Sequence, residues 1–282
     1  MKKSAFLFFC FLLVHSSCNN DEDQITISTI QEIATLPSSI NECSGFTLHN
    51  EQLVTVNDSG DGANLYFTTL TDFILTDQVA ITNAQNRDWE TILSDDNYFW
   101  IGDFGNNFGD RMDLVIYKIN HATFQIEDSI DFAYPDQTDF TTTTQHNFDC
   151  EAMVKIDQAL FLFTKNRLNN QTSIYKIDLT EKSITFVQSI NVPARVTDAY
   201  YHKSSDHVIL LCNEIVDGNF ESHIQMVQIT ADQMFSSIQS FSISINQQFE
   251  AITLLEGSTF YIGSENEAIN GGKIYSFSLS GL

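Results

Sequence analysis

Positive charge is what this chain has least of: 13 Lys and Arg stand against 37 Asp and Glu among 282 residues. Nucleic acid and anionic membrane surfaces are thereby excluded as partners, since binding to either rests on basic residues; divalent cations are favoured. Proline is scarce in absolute terms, with 3 in the whole chain, and no low-complexity linker follows Gln24. Residues 25–282 therefore read as a single domain of a length that suits one large all-β unit. Cysteine is too sparse for a disulfide framework: beyond Cys18 there are only Cys43, Cys150 and Cys212, an odd number without zinc-type spacing. The 7 histidines form no pair at ligand spacing, and no Ser-His-Asp arrangement emerges. Helical periodicity of any length is also missing. The longest uninterrupted apolar run, Ala5 to Val14, is too short to cross a bilayer as a helix.

That run has the flanks of an export signal, with Lys2-Lys3 before it and His15-Ser16-Ser17 leading to Cys18. Small residues just before a cysteine resemble a bacterial lipobox, and the acidic run Asn19-Asn20-Asp21-Glu22-Asp23 resembles the surface-export signal of Bacteroidetes lipoproteins. The resemblance implies a signal over 1–17, lipid on Cys18, a tether over 18–24, and display at the outer membrane or cell surface. Simple secretion with Cys18 as a spectator is the alternative. Without the signal, 11 basic residues face 37 acidic ones, a net charge of −26.

The rest of the chain repeats one unit. ECSGFTL (42–48), DWETILS (88–94), DCEAMVK (149–155), VTDAYYH (196–202) and QFEAITL (248–254) align so that Ser44, Glu90, Glu151, Asp198 and Glu250 share a position. Their spacings of 46, 61, 47 and 52 residues suit a propeller blade. A second marker keeps register 13 to 15 residues later, at Asp58, Asp103, Lys165, Asn213 and Ser264. Third strands carry Tyr66, Tyr117, Tyr175 and Tyr275, with Met226 in the fourth copy. Intervening runs rich in Val, Ile, Phe, Tyr and Thr, bounded by Asn, Asp, Gly and Ser, read as strands. Fourth strands are expected near 74–81, 123–132, 184–192 and 235–245. The fifth copy lacks one, and 25–36 is expected to supply it by pairing with 275–279, which closes the ring and removes a free edge. The expectation is an all-β, five-bladed β-propeller with four antiparallel strands per blade.

In such a blade the innermost strand starts beside the end of the second, which brings both markers to one face. Ser44, Glu90, Glu151, Asp198 and Glu250 then form an inner ring, and the second markers an outer one. Four carboxylates around one axis repel, raising some of their pKa values unless a cation neutralises them; one axial calcium suits an all-oxygen set, and zinc does not. The alternative is a solvated, metal-free channel. By strand alternation Cys43, Trp89, Cys150, Thr197 and Phe249 point away from the axis, into core between blades.

Inner strands that begin with Ser or Glu around a central calcium resemble the soluble calcium-activated nucleotidases (apyrases). The resemblance makes Ser44, Glu90, Glu151 and Glu250 calcium ligands, with Asp198 where that family has serine, and puts Lys165 and Arg167 where it has a basic pair that meets phosphate. Asn57-Asp58-Ser59 and the loop GDFGNNFGDR depart from the family pattern. Locally, that loop is similar to calcium-rich, esterase-like phytase propellers.

Arg87, Arg111, Lys165 and Arg167 flank the markers in a chain short of basic residues, a placement that suits an anionic group beside the metal; the alternative is that each braces a loop through a neighbouring acid. Two functions follow. One is a lipid-anchored, monomeric calcium-binding propeller that holds a glycan, a protein or a small anionic molecule on the axial face. The other is a calcium-dependent hydrolase of a phosphoester or other anionic substrate at the same face, for which Asp58, Asp103, Arg111, Lys165 and Arg167 are the catalytic candidates.

Overall fold

The computed structural model describes residues 24–265 and 271–282, in which all regular structure is strand. Cys18, the export signal and most of the tether lie outside the described residues. Two short strands come first, β1 (Thr26–Ile27) and β2 (Gln31–Thr35). Blade 1 follows with β3 (Cys43–His49), β4 (Gln52–Asn57), β5 (Asn64–Thr69) and β6 (Leu75–Ala80). Blade 2 holds β7 (Trp89–Ser94), β8 (Tyr98–Asp103), β9 (Leu114–Asn120) and β10 (Ile126–Phe132). Blade 3 holds β11 (Cys150–Ile156), β12 (Ala159–Thr164), β13 (Gln171–Asp178) and β14 (Ser183–Asn191). Blade 4 holds β15 (Arg195–His202), β16 (His207–Val216), β17 (Asn219–Ile229) and β18 (Phe235–Ile243), and blade 5 holds β19 (Phe249–Glu256), β20 (Thr259–Ser264) and β21 (Lys273–Ser280).

Each of the first four blades is an antiparallel meander in chain order, and the fifth is completed from the N-terminus. β1 pairs with β21 through Thr26–Ser280 and Ile27–Leu279, and β2 through Gln31–Ser276 to Thr35–Lys273. The closing strand expected over 25–36 is therefore present, interrupted where the Ser28 hydroxyl and N–H bond to Ser278. Tight connections are set by residues that accept positive φ: Asn50 and Glu51 (48° and 58°) make the two-residue β3–β4 turn, a geometry that matches strand twist.

The core lies between blades rather than around the axis. Five buried clusters each join two neighbours: Val54, Trp89 and Phe99 between blades 1 and 2, Phe104, Cys150 and Tyr175 between 2 and 3, Phe161, Val196 and Phe235 between 3 and 4, Phe249 and Phe260 between 4 and 5, and Cys43, Phe46 and Tyr261 between 5 and 1. Cys43, Trp89, Cys150 and Phe249 thus fill core, as strand alternation requires. In blade 4 the equivalent residue is Val196, one place before the expected Thr197.

Candidate functional site

Every inner strand carries a β-bulge near its start. The ladder slips between Ser44 and Phe46, Trp89 and Thr91, Cys150 and Ala152, Val196 and Asp198, and Phe249 and Ala251. The unpaired residues are Gly45, Glu90, Glu151, Thr197 and Glu250. A bulge re-aims the side chain it extrudes, so in three blades the extruded residue is the glutamate of the first marker. Gly45 sits at φ 72° with its α-carbon against blade 2, where a Cβ would come within 2.6 Å of the Ile92 nitrogen.

The inner positions therefore divide. Glu90, Glu151 and Glu250 are buried, and burial is the largest cause of the raised pKa of each; Glu151 adds to it for Glu90, Asp149 and Glu250 for Glu151, and Asp58 for Glu250. Lys165 Nζ lies 2.9 Å from Glu151; its own pKa is raised by the charges of Glu151, Glu250, Asp149 and Glu90, which outweigh its burial. Asp198 is one residue past its bulge and deeper in the channel. Its carboxylate accepts bonds from Thr91 Oγ1 at 3.0 Å and from the Ile252 N–H at 2.8 Å, tying blade 4 to blades 2 and 5. Ser44 is buried at the start of β3.

The outer positions divide by alternation. Asp103 is paired with Trp89, Asn213 with Arg195, and Ser264 with Phe249; all three are buried. Asp58 and Lys165 lie one residue beyond the last ladder pair, where their N–H groups bond to the carbonyls of Glu42 and Asp149. Asp103 holds structure in place: it accepts the Asp88 N–H at 3.0 Å and faces Arg111 Nη2 at 3.0 Å. Arg111 also donates to the Gly105 carbonyl at 2.7 Å and takes the Asn106 side-chain oxygen on its own N–H. Arg87 pairs with Asp113 at the surface. Arg167 Nε is 3.0 Å from the fully buried Asp149, and its Nη2 is 2.6 Å from Asn107.

Three carboxylates that offer oxygens within 4.8 Å of one another, Asp58, Asp88 and Glu90, stand at the blade 1–blade 2 side of this mouth. Burial is the main reason the Asp88 carboxyl is pushed up to about 8, with Asp58 and Asp149 adding to it. Gly105 packs against the pair: a Cβ there would fall 2.0 Å from Glu90 Oε1 and 2.5 Å from Asp88 Oδ2. Across the mouth, a pocket of about 280 Å³ is lined by Lys165, Arg167, Arg195, Glu250, Ile215 and Phe220, among others. Among the described residues the Arg195 side chain has no ion-pair partner. The opposite mouth is mostly apolar, with Phe46, Ile92, Met153, Tyr200 and Thr253 contributed by the five inner strands in turn.

Asp88, Asp149 and Arg195 were not singled out from sequence, although a signal for the first two exists. The first letters of the copies read E, D, D, V and Q, and residues two apart on a strand share a side, which puts Asp88 with Glu90 and Asp149 with Glu151. His49 and His121, remote in sequence, have ring centroids 4.2 Å apart at the turns of blades 1 and 2.

No protein-family model matches the chain, and no curated protein matches it. Among solved structures it is similar to hydrazine synthase of Kuenenia stuttgartiensis, at 10% identity and a TM-score of 0.51, covering 81% of this chain and 75% of that one. It also matches a chain in a crystal structure of a mitotic checkpoint complex, at 10% identity and a TM-score of 0.41, covering 82% of this chain and 60% of that one. At such identity the first likeness is one of fold. Fold and topology define the chain as a five-bladed β-propeller with a cluster of buried ionisable residues at one end of the axis.

Proposed function

We propose that the protein binds a divalent cation, calcium by its donor chemistry, at Asp58, Asp88 and Glu90, and holds a small anionic ligand beside it against Lys165, Arg167 and Arg195. The observation that carries the reading is the carboxylate triad within 4.8 Å. All its donors are oxygens, as calcium prefers, and Gly105 leaves the carboxylates the space that any larger residue would fill. Glu151 already faces a cation in Lys165, so the set that lacks one lies off the axis, towards blades 1 and 2. Of the five inner positions, only Glu90 belongs to it. Bound calcium supplies positive charge that draws an anion to the mouth. Arg195 adds a planar donor fork suited to carboxylate, sulfate or phosphate, and Arg167, held by Asp149 through Nε and Nη2, adds its Nη1.

Calcium binds the folded chain and not the unfolded one, so a hundredfold excess over its Kd should stabilise the protein by about 2.7 kcal/mol, roughly 5 to 10 °C in Tm at this size. Asp88→Asn and Glu90→Gln should each reduce that gain. Identical melting in calcium and in EDTA would remove the metal. In calcium, calorimetry with galacturonate or inorganic phosphate should detect binding that Arg195→Ala weakens about tenfold, the worth of a charge-assisted pair.

The anchor is part of the same proposal. Lipid on Cys18 and display at the outer membrane or cell surface are supported by the signal-like residues before it. Cys18→Ser should move the protein to the soluble fraction; a variant that still sediments with membranes rules the anchor out.

A further inference from the structure

The pocket at the channel mouth does not end at Arg195. Arg167, Arg195 and Glu214 line both it and a second pocket of about 160 Å³ that runs outward between blades 3 and 4, along Asn169, Asn170 and Gln171. The two adjoin across these three side chains, and together they reach from Glu250 at the axis towards the rim.

Its lining changes along its length in a way that describes an occupant. At the inner end are cations in a protein short of them. Arg167 is locked by buried Asp149 through Nε and Nη2, and among the described residues neither its Nη1 nor the Arg195 side chain has an ion-pair partner. Further out, past Glu214 on one wall, the polar groups are neutral amides, and the Asn170 side chain is exposed and makes no hydrogen bond among the described residues. An amide presents a donor and an acceptor side by side, the match for a hydroxyl that does both. Ile215, 67% exposed, and half-buried Phe220 give an apolar wall beside the arginines, against which the C–H face of a sugar ring packs.

We infer that the groove binds an acidic oligosaccharide, with a uronic-acid carboxylate on Arg167 and Arg195 and the following sugars laid along Asn169 and Asn170. The assignment rests on the anion-binding reading of the mouth and adds to it the class and the length of the ligand. An acidic peptide shares the anionic group but not the hydroxyls that the amides match.

Calorimetry in calcium with galacturonate and its di- and trisaccharide tests it. Affinity should rise about tenfold per added sugar, equivalent to about 1.4 kcal/mol each. Asn170→Ala should lower trisaccharide affinity about fivefold, one hydrogen bond's worth, and leave galacturonate binding as it was. Equal affinity for mono- and trisaccharide overturns the groove while leaving the anion site standing. A neutral trisaccharide that binds as well as the acidic one overturns the seating of a carboxylate on Arg167 and Arg195, and tri-glutamate binding tighter than the trisaccharide assigns the groove to peptides. Absence of binding by galacturonate, phosphate and trisaccharide alike removes the anion site as well.

Discussion

Arg111→Ala should lower stability by about 3–5 kcal/mol, the cost of stranding one partner of a buried ion pair, and should blunt the response to calcium without touching a carboxylate of the triad. Both Arg111 and Asp103 have side chains almost without solvent contact, at 6% and 3%. Burial already raises the Asp103 carboxyl, and the Arg111 charge is the main opposing influence. Without the guanidinium, Asp103 must take up a proton or stay charged without a counter-charge, and the Gly105 carbonyl loses its donor. The effect travels to the site because Asp103 also accepts the Asp88 N–H, and the Gly105 N–H bonds to the Asp88 carbonyl at 3.2 Å. Arg111→Lys keeps the charge but not the fork, so it should fall between wild type and alanine. Urea unfolding reads the first effect, and Tm in calcium against EDTA reads the second. A loss below about 1 kcal/mol, the level of a surface pair, would show that Arg111 braces nothing.

The fold was legible because two markers recur with separations that vary by only two residues, while insertions fall outside them. The closing strand was legible for a related reason: a copy that stops after its third strand needs a partner, and 25–36 has the right pattern. The site was less legible because a bulge adds a residue to one strand and leaves no mark in composition. Glu90, Glu151 and Glu250 are extruded by theirs, but in blade 4 the extruded residue is Thr197, so the alignment that puts Asp198 beside the glutamates is one place out in space. The second marker fails in the same way. Asp103 and Lys165 occupy equivalent letters, yet Asp103 pairs within the ladder and Lys165 lies just past its end. On a structure of period two, that single step turns one side chain into the blade and the other to the mouth. Arg195 had no sequence signal at all, since its place in the pocket depends on the long β16–β17 hairpin that overhangs it.

Asp198 gives the second large effect, and its sign distinguishes a proton held in the channel from a buried charge. Asp198→Ala should cost about 3 kcal/mol near pH 5, because the Ile252 N–H and the Thr91 hydroxyl both lose a buried partner. In the unfolded chain an aspartate titrates near 3.9; in the folded one, burial pushes Asp198 up to about 8, against bonds from Ile252, Ala199 and Thr91 that pull it down. Between those values the native state holds a proton that the unfolded state has released, so this residue's contribution is full below about pH 4 and declines as pH rises through about 8. Thr91 tolerates either form, since a hydroxyl accepts as readily as it donates. The raised carboxyls of Asp88, Glu90, Glu151 and Glu250 act in the same direction, but they are common to both proteins and largely cancel in the difference. The stability gap between wild type and Asp198→Ala, measured by urea unfolding at pH 5, 7 and 9, should therefore narrow as pH rises. A gap that stays constant or widens means that Asp198 is ionised throughout, and that the bonds across the axis hold a charge in place.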